Sequence, residues 1–306
     1  MGFLIRSIWT VACVMALSVT GGQYATAQEH PLATGEALVT QFSGTASRLA
    51  GGQSVVTTID PNGPVLKAID LRAPGQAPSG QHWIDEPQRA LARSSQIGQV
   101  FGIAIDDASP ANIYVGATSA FGLHRTYPGG GWMDGQWGVG GGPGTIWKLD
   151  ALNGYAPEIF ATVTLDGRQN SGPGIGNIAL DPYHRQLFAS DLESGMVHAY
   201  AIDDGVELDR YDHGVEGRSG FLDIETGMSI SLPTAEFAGD AAADITANNQ
   251  VCDGTAFASA PECWNFADFR RRVWGLAVHR DAETGEIRLY YALWSNTGFG
   301  NPDFGD

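Results

Sequence analysis

The chain has 306 residues, 43% of them hydrophobic, with 17 Lys and Arg against 34 Asp and Glu and a formal net charge of −17. That hydrophobic content excludes a disordered chain, and the length suits one large all-β domain or two ordinary ones. The acidic balance weighs against nucleic acid, whose binding leans on Lys and Arg neutralising phosphates, and against adsorption to anionic lipid.

The first residues read as a targeting segment. Arg6 supplies a positive start, "SIWTVACVMALSV" is apolar but shorter than the ~18 residues a spanning helix needs, and Ala25-Thr26-Ala27 has the small-x-small form of a cleavage site. Residues 1–27 are therefore expected to be a signal peptide, leaving an exported chain with no membrane span, periplasmic or extracellular. Cys13 lies inside the apolar run with further apolar residues after it, which argues against a lipoprotein anchor.

"ALVTQFSG" and "SVVTTIDPNGPVLKAIDLR" read as three strands by their apolar alternation, and a polar, Pro-rich stretch follows at 73–96. "VFGIAID", "NIYVGAT", "GTIWKLDALNG" and "PEIFATVTL" then give four strands, with a Gly-rich stretch, 121–144, between the second and third. "GIGNIALD", "QLFASDL", "MVHAYAID" and "VELDRYD" repeat the order. A long irregular stretch, 215–271, contains Cys252 and Cys263, and "RVWGLAVH" and "IRLYYALWS" begin a third unit. An isolated even cysteine pair this close, in an oxidising compartment, reads as a local disulfide, and no further Cys or His stands at zinc-ligand spacing beside it.

Ile103-Ala-Ile-Asp106, Ile178-Ala-Leu-Asp181 and Leu276-Ala-Val-His279 stand at the same place in the three units, 75 and then 98 residues apart. Four antiparallel strands per repeat, the innermost rich in Gly, Ala and branched residues, describe the blade of a β-propeller. Small residues at the innermost strand let neighbouring blades approach the axis. A β-sandwich also has short strands and many turns, but it would not repeat one strand type at its inner position. The repeat spacing exceeds the ~40–50 residues of ordinary propeller repeats, so 73–96, 121–144 and 215–271 read as insertions. The fold class expected is all-β, a propeller of four-stranded blades, incomplete at about three to three and a half blades. Residues 28–306 would form the N-terminal part of one propeller domain in a longer protein, with the first blade lacking its inner strand.

"GNIALDPYHRQLFASDLESGMVHAY" resembles the repeats of six-bladed NHL-repeat and SMP-30/gluconolactonase-like propellers, whose blades run glycine, apolar triplet, Asp or Asp-Pro, turn, and a second apolar strand. The likeness covers about 98–214 and 272–295 and, weakly, 38–72. It specifies a fold more than an activity, because this architecture hosts lactonases and binding scaffolds alike. In lactonases of this kind a divalent metal sits in the channel on Glu, Asn and Asp side chains, which makes Asn177 the candidate to test. This chain writes Gly-Asn where that family often shows Asn-Gly, a shift of one residue that sends the side chain to the other side of the strand. An Asn satisfying backbone groups at a strand start is the expectation, and no cofactor is expected outside the lactonase alternative.

In a propeller, the connection between blades and the loop between strands two and three leave on the same face. The insertions would crowd that face with Trp83, Trp132, Trp137 and Trp264, together with His82, His124, Arg125, Arg270 and Arg271. Aromatic and Arg side chains anchor recognition surfaces; the same tryptophans would serve as a private core for long loops. Arg270 and Arg271, just before an inner strand, face an anionic ligand at the channel mouth or pair with the surplus carboxylates. Other motifs give nothing. "GGGWMDGQWGVGGGPG" has no Lys for a phosphate loop, "GIGNIA" runs into a strand rather than a helix, and no G-x-S-x-G or H-E-x-x-H occurs. Asp181, His184, Asp191 and His198 fall on alternating strands and a turn and would point in several directions. Two functions stay open: a binding or scaffold module that recognises a small ligand or protein through its loop-rich face, and a metal-dependent, lactonase-like hydrolase.

Overall fold

The computed structural model describes residues 31–50, 54–72, 88–121, 132–133, 135–213, 216, 221–222, 226–230, 264, 267 and 272–293. In chain order the elements are β1 (Glu36–Thr40), β2 (Thr45–Ala50), β3 (Ser54–Ile59), β4 (Pro64–Asp70), β5 (Gln88–Arg93), the single turn α1 (Ser94–Ile97), β6 (Val100–Ile105) and β7 (Ile113–Ala117). Then come β8 (Thr145–Asp150), β9 (Ala156–Thr162), β10 (Thr164–Leu165), β11 (Arg168–Gln169), β12 (Ile175–Asp181), β13 (Gln186–Asp191), β14 (Met196–Ala201) and β15 (Glu207–Asp212). The last are β16 (Phe221–Leu222), β17 (Ser229–Ile230), β18 (Val273–Arg280) and β19 (Ile287–Leu293).

The chain is all-β. Two four-stranded antiparallel sheets, β6-β7-β8-β9 and β12-β13-β14-β15, have the strand order of propeller blades. A three-stranded sheet β1-β4-β5 precedes them and the β18-β19 hairpin follows. β6 packs beside β12 and β12 beside β18, so the first strands of successive sheets are neighbours, as inner strands around an axis must be. Each of these three strands carries an irregularity at the same place, between Val100 and Ile103, Ile175 and Ile178, and Val273 and Gly275. The repeat legible in the sequence is thus a repeat of backbone geometry, bulge included.

The inner strands are glycine-bearing for a measurable reason. A Cβ on Gly102 would stand 2.7 Å from the Ile178 nitrogen and 2.8 Å from the Asn177 Cα, backbone against backbone. One on Gly176 would meet the Val273 carbonyl oxygen at 3.0 Å. Two apolar cores fill the spaces between sheets. Val65, Leu66, Leu91, Ile97, Ile113, Val115 and Trp147 pack between the first and second. Tyr114, Ile146, Ile178, Leu187, Ala189 and Tyr200 pack between the second and third. β7 belongs to both, because alternate residues of a strand face opposite sides: Ile113 and Val115 point one way and Tyr114 the other. A middle strand buried on both faces must be apolar throughout, which is why "IYVGA" reads as a continuous run.

The first sheet departs from the sequence reading. Instead of an outer remnant lacking its inner strand, it has β1 in the inner position. β1 packs against β6, and Thr40 Oγ1 donates to the Phe101 carbonyl at 2.8 Å. β2 and β3 form a separate hairpin between β1 and β4. The end of the 73–96 stretch is β5, paired antiparallel to β4, and not loop. Its sequence "QRALAR" buries Leu91 and Ala92 and leaves Gln88, Ala90 and Arg93 exposed, an edge pattern too polar to stand out as a strand.

Aspartates close the strand reversals. Asp60, Asp70, Asp106, Asp150, Asp181, Asp191, Asp204 and Asp281 each accept a hydrogen bond from the backbone N–H two residues on, the turn in which Asp replaces a backbone acceptor. In three of them, "DALNG", "DLESG" and "DAETG", the fifth residue is a glycine at positive φ: Gly154 at 61°, Gly195 at 75° and Gly285 at 73°. Much of the acidic surplus is therefore structural.

Candidate binding site at the loop-rich end

At the end of the blades where the inner strands begin, segments far apart in sequence converge. The loop from β7 to β8 folds back over α1 and the start of β6: Gln99 N donates to the Gln136 carbonyl at 3.0 Å and Val139 N to the Gln96 carbonyl at 3.3 Å. The approach depends on two glycines. Gly98, at φ 77°, leaves no room for a Cβ against the backbone of Trp137, nor does Gly138, at φ 83°, against Gln96 and Ile97. Gln99, fully buried, fastens the loop to the first sheet, donating from Nε2 to Ser43 Oγ at 3.0 Å and to the Gly135 carbonyl at 3.2 Å.

On this frame sit three of the tryptophans singled out in the sequence. Trp132 meets Trp137 with ring centroids 5.7 Å apart and planes at 88°, and meets Trp264 at 4.8 Å and 55°. Trp137 and Trp264 are buried, packed with Ala117, and Trp132 is half-buried against them. Trp264 lies flat over Gly172, where a Cβ would fall about 2 Å from the indole, and Ala267 N donates to the Leu192 carbonyl at 3.0 Å. So residues 264 and 267 dock on the third sheet while touching the loop of the second. Beside the indoles a cleft of about 590 Å³ opens, lined by Pro61, Ser95, Trp132, Met133, Trp137 and Val139 with the backbone of Gly138, Gly140 and Gly141. None of the described residues that line it is ionisable.

A buried polar knot supports this end from the third sheet. The Asp191 carboxylate, 2% exposed, accepts from Asn170 Nδ2 at 2.8 Å, Glu193 N at 2.9 Å, Ser194 N at 3.0 Å and Ser194 Oγ at 2.5 Å. Asn170 Oδ1 accepts from Gly172 N and Gly174 N, both at 3.0 Å, and the buried Glu193 carboxylate accepts from Ser171 N. Full pairing is what a buried carboxylate requires. These donors fix the 170–174 segment on which Trp264 rests. From the sequence Asp191 was grouped with Asp181, His184 and His198, and Asn170 and Glu193 were not singled out; the one signal present was the "DLESG" turn shared with "DALNG" and "DAETG".

Nearer the axis a second aromatic group forms from Phe42, Phe101, Phe121 and Trp274. The rings of Phe101 and Trp274, on inner strands with β12 between them, meet at 5.9 Å, and Phe121 touches Phe42 at 5.8 Å and Phe101 at 6.2 Å. Asn177 on β12 is engaged locally: its Oδ1 accepts from Ile178 N at 2.8 Å, and its own N–H donates to Ser190 Oγ at 2.9 Å. Among the described residues no group of three or more His, Cys, Asp or Glu side chains is placed to hold a metal ion. Arg270, Arg271, Cys252 and Cys263 lie outside the described residues, as do Trp83, His82, His124 and Arg125.

Asp181, His184, Asp191 and His198 go to three separate places. Asp181 pairs with His184 Nδ1 at 2.6 Å at the opposite end of the blade, and His198 pairs with Glu207 at 2.7 Å. Burial pushes the Asp181 carboxyl up, but hydrogen bonds from His184, Gln186 and the backbone N–H groups of His184 and Tyr183 outweigh it and hold the group below its ordinary value. The His198 hydrogen bond likewise lowers Glu207. That opposite end also has a cleft, about 430 Å³, lined by charged residues that include Asp106, Asp107, Lys148, Arg185 and Asp203. Its Arg185 is already paired with Asp203, and its Asp106 accepts from the backbone N–H and side-chain amide of Asn112 and from Tyr114 OH.

No helix among the described residues is long and apolar enough to cross a membrane. No protein-family model matches the chain, and no curated protein matches it. What the fold and the site define is an all-β, propeller-like chain carrying an aromatic cleft on loops at one end of its blades.

Proposed function

We propose that the protein is an exported β-propeller module of the NHL-repeat or SMP-30-like kind that binds a small ligand or protein partner through its loop-rich face. Long loops held on a rigid scaffold are where recognition concentrates. The observation that carries this reading is the cleft beside Trp132 and Trp137, assembled from the first sheet, α1 and the β7–β8 loop. Concave, mostly apolar sites with a few convergent polar groups are the usual form of small-molecule sites. Export rests on Arg6, the apolar run that follows it, and the Ala25-Thr26-Ala27 site.

The test is a thermal-shift screen of the full chain against small organic compounds, repeated on Trp132→Ala and in the presence of EDTA. Ligands that raise the melting temperature of the parent protein are expected to fail on Trp132→Ala and to be indifferent to chelation. Ligands that keep their effect on the variant would place binding elsewhere. Hits abolished by EDTA would move the reading toward the metal-dependent hydrolase.

A further inference from the structure

We propose that the ligand of the Trp132 cleft is a small quaternary ammonium cation bearing an oxygen, of the choline type. This rests on the reading of the cleft as a binding site and adds the chemistry of what enters it. Trp132 and Trp137 meet at 88°, so the two indoles make a corner, and Trp132 is only half-buried where it borders the cleft. Indole is the best of the aromatic faces for a cation, and aromatic corners of this kind hold quaternary ammonium groups.

The polar inventory narrows the choice. The described lining is indole, Met, Val, Pro and Ser side chains with glycine backbone. A quaternary ammonium has no N–H to satisfy, so burying it beside indoles and glycine backbone strands no donor. The chain's net charge of −17 raises the local concentration of cations at its surface. Trp137, 4% exposed, has an Nε1–H with no acceptor among the described residues, and Ser95 supplies a hydroxyl to the same cleft. A ligand oxygen would meet these donors, which is why the choline type is preferred to a bare tetraalkylammonium.

The experiment is calorimetric titration of the full chain with choline chloride and with 3,3-dimethylbutan-1-ol, its uncharged isostere, on the parent protein, Trp132→Phe and Trp132→Leu. Expected is choline binding about tenfold or more tighter than the alcohol, equivalent to ~1.4 kcal/mol. Trp132→Phe should keep most of that preference, Trp132→Leu should lose it, and added sodium chloride should weaken choline binding. Equal affinity for the two probes, lost together in Trp132→Leu, would overturn the cation and leave the cleft as a site. Choline binding alike to the parent and Trp132→Leu would overturn the inference by placing the cation elsewhere. Absence of binding by either probe also overturns it, and the cleft reading then stands or falls on the Trp132→Ala thermal-shift comparison alone.

Discussion

At one end of the blades the chain reverses in a few residues, and aspartates at 106, 150, 181, 204 and 281 each close a turn with their own side chain. At the other end the link between β7 and β8 runs 27 residues, 118–144, and its described part is tied to distant segments, to α1, Gln99 and Trp264. The first end is built mainly from hydrogen bonds within each turn, with a few links between turns such as Arg185 to Asp203. The second exists only when distant segments meet. The difference separates what supports the scaffold from what is free to carry recognition, and substitutions at the two ends should behave accordingly.

The largest effect is expected where neither end has slack, at the inner strands. Gly102→Ala should destabilise the fold by about 3 kcal/mol, because its Cβ would press on the backbone of β12 and no flexible side chain can yield. Gly275→Ala is the matched control in the same repeat position. Its Cβ would meet only the Ala292 Cβ at 3.5 Å, an ordinary contact, so a change within about 0.5 kcal/mol is expected. Denaturant midpoints of the two variants decide the matter, and equal losses would break the packing explanation for the inner-strand glycines.

At the loop-rich end, Asp191→Ala strands Asn170 Nδ2, two backbone N–H groups and the Ser194 hydroxyl in a buried site. A loss of roughly 2–3 kcal/mol is expected, together with a change in tryptophan fluorescence as the bed of Trp264 loosens. A loss of stability without a fluorescence change would uncouple the knot from the indoles.

Asp181→Ala, at the turn end, removes only local acceptors and should cost about 1 kcal/mol. Its effect has a pH signature. The Asp181 carboxyl is lower in the folded chain than its unfolded value of about 3.9. Its contribution is therefore complete above that value and disappears as the pH falls through the lower, folded value. The gap between the parent protein and Asp181→Ala should be constant at neutral pH and close in acid. A gap that persists in acid would assign the loss to packing. Trp132→Ala removes a ring packed on Trp137 and Trp264; the chain should stay folded, with unchanged far-UV circular dichroism, while losing binding.

The blades were legible because their signals are periodic. "NIYVGAT" and "QLFASDL" are largely apolar as middle strands must be, and the repeated apolar-Ala-apolar inner strand, at Ile103, Ile178 and Leu276, marks the axis. β5 was hidden by its polar edge pattern, and β1 because the β2–β3 hairpin separates it in sequence from β4, its partner in the sheet. At the site, the tryptophans could be named from the sequence but their meeting could not. The contact between Trp132 and Trp264 spans 132 positions and depends on Gly172, which no spacing rule ties to either. The pairing of Asn170 with Asp191 was unreadable for the same reason. A buried polar pair leaves no periodic trace, only the "DLESG" turn that shows half of it.

The most direct test of the division of labour between the two ends is the indole N–H region of the NMR spectrum during titration with a mixture of small organic probes. Expected are shifts of the Trp132 and Trp137 indole signals while the backbone amides of 106–109 and 183–185 stay in place. Shifts confined to those turn-end amides, with both indoles unmoved, would contradict the assignment of recognition to the loop-rich face.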